Sequence, residues 1–368
     1  MKQTIKRKTL AIISILSLAV ILLVRDSLWA AAPDVPPGLI IAAEVQEAHN
    51  PRLMAIPDVV GTAVGLDNAG EPVIQVFLAS DRARGIPAEL NGFRVVTRVT
   101  GPLVAYKGPP GGGGSNSGED PKVIQTPPPI KLGTSGGWRY DLANGYCCGG
   151  TLGSLIKIGD AKYILSNYHV LYADSVSGGN GRTAVGGDSV IQPGLIDVAC
   201  NANNAQNVAT LVNGGGSLPD ANIDAGIALI SPGQVDESGA ILNIGTISST
   251  TVAASIGKAV KKMGRTTGLS RATVSGLNGT VNITYSNECA GGTAFTKTFT
   301  GQIITTNDRC RFLNGGDSGS LMVEDKTTNP GAVGLLFAGS SICNRFSVGI
   351  ANPINDVLTH FKATMVGN

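Results

Sequence analysis

Three residues of this chain have the types and surroundings needed for nucleophilic chemistry. Ser318 lies in Gly316-Asp317-Ser318-Gly319-Ser320, behind Asn314 and Gly315. A hydroxyl is a weak nucleophile until a base takes its proton and donors stabilise the resulting oxyanion. Glycines around such a serine allow a tight turn that presents the hydroxyl. They also let backbone N–H groups approach a reacting carbonyl without a side chain in the way. His169, in Ser166-Asn167-Tyr168-His169-Val170-Leu171, follows the apolar run Tyr163-Ile164-Leu165. The end of a strand holds an imidazole rigidly at a cleft edge, as a general base requires. Asp224 opens the apolar run Ile223 to Ile230. A carboxylate buried there needs a hydrogen-bond donor, and a histidine N–H is a suitable one. Asp188, Asp197 and Asp220 compete for this role, but none opens so clear an apolar strand. Of the other histidines, His49 sits in a different part of the chain and His360 falls on the polar side of a C-terminal helix. A serine, a base and an orienting acid together perform acyl transfer.

The elements that must position these residues are short and extended. From about 140 to 368 the chain is a succession of short apolar runs, including Leu152 to Ile158, Ala272 to Tyr285 and Ala332 to Ala338, punctuated by glycine and asparagine. That spacing predicts an all-β sandwich or barrel. Only the end reads as helical, with Ile354, Val357, Leu358 and Phe361 on one face. Residues 38–107 predict a small α+β module. A helix carries Ile40, Ile41, Val45 and Ala48, followed by strands at Val59 to Leu66 and Val73 to Leu78 and by one strand or two over Phe93 to Tyr106. This module contains no constellation assignable to chemistry. Residues 108–139, with Gly-Pro-Pro-Gly-Gly-Gly-Gly-Ser and a later triple proline, predict a flexible or extended linker.

Composition narrows the classes of function. The 368 residues carry a formal net charge of +2 and no basic stripe beyond the first ten positions, which argues against nucleic acid as a partner. Residues 1–32 read as an export signal. Lys2, Lys6, Arg7 and Lys8 are followed by an apolar run from Leu10 to Val24 and then by Ala30, Ala31 and Ala32. Arg25 and Asp26 directly after the run leave an uncleaved anchor as the alternative. The bulk of the chain is thus expected to be secreted or periplasmic, touching a membrane only through this segment. Six cysteines fit an oxidising compartment and allow 15 pairings. No Cys-x-x-Cys pair exists and histidines number three, so neither a metal nor another cofactor is expected.

The order His169, Asp224, Ser318 resembles that of the trypsin/chymotrypsin-like serine proteases. The steps of 55 and 94 residues are close to that family's spacing. Cys148-Gly149-Gly150-Thr151-Leu152 resembles the family's first-barrel strand before the histidine. Gly334-Leu335-Leu336-Phe337-Ala338-Gly339 resembles the strand that pairs with substrate backbone. Asn167-x-His169-Val170 and Asn314-x-Gly316-x-Ser318 are closest in style to bacterial exported Deg-type members. Lys262-Met263-Gly264-Arg265-Thr266-Thr267-Gly268-Leu269 resembles a segment of poorly characterised bacterial trypsin-like proteins, with which the N-terminal module also occurs.

The resemblance implies two six-stranded antiparallel β-barrels with a C-terminal helix, and endopeptidase activity on protein or peptide substrates. It implies a catalytic role for His169, Asp224 and Ser318, and an oxyanion hole at Gly316 and Ser318. It places a substrate pocket at Phe312, Leu313, Phe337 and Gly339. Phe312 falls where trypsin has an aspartate, so specificity for Lys or Arg is not expected, and a small or apolar residue before the scissile bond is. The module at 38–107 becomes an accessory or pro-region. Cys310 with Cys343 and Cys148 with Cys200 become disulfide candidates. The family's half-cystine after its histidine is missing. No Ile-Val-Gly-Gly start precedes Cys148, so Asp317 needs a partner other than a new N-terminus. Two other readings stay open: a binding or scaffold protein with an idle site, and a secreted esterase using the same residues. Oligomeric state has no signal in the sequence.

Overall fold

The computed structural model describes residues 36–105, 120–143, 146–172, 182–286 and 294–368. The proposed export signal lies outside them. Two large sheets dominate, and each contains a closed antiparallel barrel of six strands.

The first barrel is built from β6 (Thr134–Trp138), β7 (Gly150–Leu152), β8 (Ser154–Ile158), β9 (Ala161–Ser166), β10 (Ser189–Gln192), β11 (Gln206–Gly216) and β12 (Gly226–Ile230). Pairing runs β8–β9–β12–β11–β10–β6–β7. The ring closes because β7 and β8 are one strand interrupted only by Gly153. A Cβ on Gly153 would sit 2.0 Å from the carbonyl oxygen of Gly319, so this glycine is where the first barrel touches the turn that carries Ser318.

The second barrel uses β13 (Ala259–Lys262), β14 (Ser270–Tyr285), β15 (Phe295–Thr306), β16 (Leu321–Glu324), β17 (Ala332–Ser340) and β18 (Val348–Pro353). β13 pairs with both β14 and β16, which closes the ring β13–β16–β17–β18–β15–β14. Ala332–Ser340 of the second barrel and Thr134–Trp138 of the first are buried along their whole length. α3 (Ile354–Phe361) follows and buries Ile354, Val357, Leu358 and Phe361, the face read from the sequence. β19 (Thr364–Met365) then returns to pair with β8.

The N-terminal segment forms α1 (Pro37–Met54), β1 (Val59–Leu66), β2 (Pro72–Leu78), β3 (Glu89–Leu90), β4 (Phe93–Val99) and β5 (Leu103–Ala105). It shares the sheet of the second barrel: β1 pairs antiparallel with β14. Gln46 of α1 strengthens that junction by donating to Thr62 Oγ1 and to the Asn278 carbonyl. The buried face of α1 differs from the expected one. Leu39, Ala42, Ala43 and Val45 point inward, whereas Ile41 is half-exposed. Small alanines let the helix lie close on the sheet, and apolar spacing alone does not reveal that preference.

The linker expectation needs correction at its C-terminal end. Residues 120–139 are described and structured: β6 lies in the first barrel, and Ile130, Leu132 and Trp138 are fully buried. Glycine and proline mark a lack of regular periodicity, but they do not prevent an extended segment from joining a sheet made by distant strands. The first barrel therefore begins before residue 140.

Candidate active site

His169 lies in the four-residue helix α2 (Tyr168–Leu171), one residue after β9. Asn167, between them, donates from Nδ2 to the Asp224 carbonyl at 2.7 Å. The turn carrying the histidine is thereby tied to the segment carrying the acid. Asp224 sits two residues before β12 and is fully buried. His169 Nδ1 lies 2.6 Å from Asp224 Oδ2, and the His169 backbone N–H donates to Asp224 Oδ1 at 3.3 Å. With Nδ1 donating, Nε2 is the nitrogen left to accept a proton. Nε2 is buried and has no hydrogen-bond partner.

Two further residues complete the shell around the acid, and neither was identified from the sequence. Tyr285, at the end of β14, donates its hydroxyl to Asp224 Oδ2 at 2.8 Å. Burial, followed by the neighbouring Asp224 charge, pushes the Tyr285 hydroxyl well above its ordinary value of 10.0, so it stays a donor. Its ring stacks on Phe295 at 4.8 Å and meets the His169 ring edge-on at 5.9 Å. Asn352 of β18 accepts from the Asp224 N–H at 3.2 Å and donates to the Asp224 carbonyl at 3.1 Å. The competing aspartates have other partners or places. Asp188 takes Trp138 Nε1 and Arg182, Asp197 takes Arg265, and Asp220 is exposed.

Ser318 is buried at the start of the turn leading into β16, with its Oγ 3.3 Å from the Phe337 carbonyl of β17. The turn needs its glycines. Gly316 and Gly319 both have φ of +93°, and a Cβ on Gly319 would meet Ser166 Oγ and the Thr151 carbonyl at 2.2 Å.

The segment Lys262 to Thr267 is the cradle of this turn. Lys262 Nζ lies 2.9 Å from Asp317 Oδ1, both side chains being fully buried. Burial pulls the Lys262 ammonium below its usual range and the Asp317 charge opposes that pull. Thr266 and Thr267 donate their backbone N–H groups to the same carboxylate at 2.9 and 3.0 Å. Lys262 is thus the partner that Asp317 was expected to need. Thr266 Oγ1 donates to the Gly315 carbonyl at 2.5 Å, while Thr151 Oγ1 donates to the Gly316 carbonyl at 2.9 Å. A trans peptide points its C=O and N–H in opposite directions. Holding the Gly315 carbonyl therefore aims the Gly316 N–H away from Thr266. Arg265 locks the cradle to the first barrel through Asp197, at 2.9 and 2.5 Å.

The residues expected to line a substrate pocket divide into two groups. Phe312 and Leu313 are packed into the core with Val260, Met322 and Leu336. Phe337 is equally buried, against Phe299. Gly339 lies near the end of β17, paired with Gly349 of β18 on one side and Val104 of β5 on the other.

One disulfide matches expectation and one is corrected. Cys310 is bonded to Cys343. Cys200 is bonded to Cys147, not to Cys148. Neighbouring residues on extended backbone point to opposite sides. It is Cys147 that faces Ile191, Leu195 and Cys200. Cys148 is engaged in another disulfide.

A family model for the Nal1 C-terminal domain matches residues 201–356. No curated protein matches the chain. Among solved structures, a glutamic acid-specific serine protease is 18% identical, with a TM-score of 0.44, covering 64% of this chain and 100% of its own. Protease A of Thermobifida fusca is 20% identical, with a TM-score of 0.41, covering 67% of this chain and 99% of its own. The chymotrypsin of Cellulomonas bogoriensis is 20% identical, also with a TM-score of 0.41, covering 65% of this chain and 98% of its own.

Proposed function

We propose that this chain is an extracytoplasmic serine endopeptidase. The observation that carries the reading is the 2.6 Å contact of His169 Nδ1 with the buried Asp224. It leaves Nε2 as the acceptor, in a site whose serine sits on a glycine-supported turn.

In the proposed reaction His169 Nε2 takes the Ser318 hydroxyl proton as Oγ bonds to the carbonyl carbon of a peptide. The carbonyl oxygen gains the negative charge, and the N–H groups of Gly316 and Ser318 receive it. Such a donor contributes on the order of 3 kcal/mol to the transition state. His169 then gives its proton to the leaving amine as the C–N bond breaks. Water repeats the sequence on the acyl-enzyme, with His169 again as base, and releases the acid. Asp224 holds the imidazole tautomer and stabilises its charged form throughout. The cysteine pairings support an oxidising compartment outside the cytoplasm.

A fluorophosphonate probe reacts with an activated serine and tests this directly. The chain should label, and Ser318→Ala and His169→Ala should not. Absence of labelling in folded wild-type protein would reject the reading in favour of a binding protein with an idle site. Labelling together with turnover of small esters, but of no peptide, would make it an esterase.

A further inference from the structure

β17 runs directly past the nucleophile, with the Phe337 carbonyl 3.3 Å from Ser318 Oγ. A peptide that presents a carbonyl to Ser318 in extended form must lie along this strand, adding to its edge as a new antiparallel strand. At Gly339 that edge is already taken. β18 pairs with one side, Gly339 opposite Gly349. β5 pairs antiparallel with the other, Gly339 opposite Val104 and Ser340 opposite Leu103. β5 is held from behind as well, parallel to β14, with Leu103 opposite Ile283 and Ala105 opposite Tyr285.

The approach to β5 is strapped to the same region. Ser341 N–H donates to the Pro102 carbonyl at 2.9 Å, and Asn344 Nδ2 donates to the Val99 carbonyl at 3.0 Å. Gly101 has φ of +72°, and a Cβ there would come within 2.7 Å of Ser341 Oγ. Leu103 and Ala105 are buried. A strand with both neighbours made offers no free backbone donors or acceptors to a third chain.

We infer that Leu103–Ala105 is an intramolecular substrate mimic: it fills the strand position of a peptide substrate, blocks that position, and shows which peptides the site takes. The inference rests on the proposed function. Antiparallel register steps one residue on β17 back for each residue forward on the peptide. A peptide in the register of β5, with valine opposite Gly339, brings its residue two positions later opposite Phe337, beside Ser318. The preferred substrate is then an extended apolar peptide. Leucine stands fourth before the scissile bond, valine third and a small residue second.

The test reads strand capture without chemistry, using the full chain. A labelled acetyl-Leu-Val-Ala-Leu peptide is titrated against Ser318→Ala protein with and without Val104→Pro, which removes the N–H at the centre of β5. Fluorescence anisotropy should show at least tenfold tighter binding to the proline variant. Acetyl-Leu-Pro-Ala-Leu should bind at least tenfold more weakly than the valine peptide. In parallel, Val104→Pro in the otherwise wild-type chain should hydrolyse succinyl-Leu-Val-Ala-Leu-p-nitroanilide at least tenfold faster than wild type. Val104→Ala, which keeps the N–H, should give a smaller gain.

Should the proline variant fail to fold by circular dichroism, Asn344→Ala loosens the strap by one hydrogen bond and should raise peptide binding in the same direction. Equal peptide affinity with and without β5 pairing, or indifference to the proline in the peptide, overturns the inference. Fluorophosphonate labelling of Ser318 that persists in that case leaves the protease reading intact. Strand capture without labelling supports the occupied edge and rejects the enzyme.

Discussion

Lys262 Nζ and Asp317 Oδ1 meet at 2.9 Å with no solvent access to either side chain. Asp317 directly precedes Ser318, and Lys262 supplies its counter-charge from within the chain. Lys262 also donates to Thr267 Oγ1 at 2.5 Å, so the ammonium joins both halves of the cradle. Breaking a buried pair from one side is far costlier than replacing both members, because a lone charge is left without water or partner. Lys262→Met should therefore destabilise the protein by about 3–5 kcal/mol. It should also abolish fluorophosphonate labelling at temperatures where the fold persists. Adding Asp317→Asn should restore much of the melting temperature. A melting curve of the single variant equal to wild type would refute this account of the pair.

Tyr285→Phe removes one hydroxyl and leaves the stacked ring. The lost hydrogen bond has a charged acceptor, a class worth about 1.5–3 kcal/mol. If most of that is felt in the transition state, kcat should fall roughly tenfold or more, with KM little changed. The alternative, a purely structural role, would move melting temperature and leave kcat alone.

The same variant has a pH signature. In the folded protein the Tyr285 hydroxyl titrates well above 10.0. Above pH 10 the unfolded chain loses this proton while the folded chain keeps it, so the folded state binds more protons. Stability from this group is full below the unfolded value and is lost as pH rises above it, through the folded value. Tyr172, raised to about 12 by burial, behaves alike and stays in both proteins. Between pH 9 and pH 11 the melting temperature of wild type should fall more steeply than that of Tyr285→Phe. Parallel slopes would rule the linkage out.

Asn352→Ala should unfasten the backbone of the acid. It strips partners from the Asp224 N–H and carbonyl, and an unsatisfied buried group costs roughly 1–3 kcal/mol. A lower melting temperature and slower peptide hydrolysis are expected together. Activity equal to wild type would show that Asn167 alone holds this segment.

The Cys147–Cys200 bond closes a separation of 53 residues within the first barrel. The chain-entropy account assigns a loop of that size about 4 kcal/mol. Replacing both cysteines with serine should lower stability by up to that amount, read by urea denaturation. The Cys148→Ser, Cys200→Ser pair should do worse, because it breaks two bonds and leaves Cys147 unpaired.

The sequence alone marked out the residues proposed to react. A nucleophilic serine needs glycines beside it, a base needs a rigid support, and a buried acid needs an apolar run. These demands are local, so they leave a pattern in adjacent residues. The short apolar runs of the two barrels and the apolar face of α3 were legible for the same reason. Cys147 and Cys148, adjacent in sequence, differ only in which side of the backbone they face, and composition does not encode that.

Tertiary structure decided what distant strands bring together. Tyr285 and Asn352 reach Asp224 from 61 and 128 residues away, so no local pattern marks them. Lys262 stood in a noticeable motif, yet its role depends on barrel closure placing β13 beside the Ser318 turn. Residues 103–105 read as part of a strand, but strand propensity does not name a partner. Only the packed sheet places Val104 opposite Gly339, because backbone hydrogen bonding is the same for every sequence and the register comes from the surrounding core.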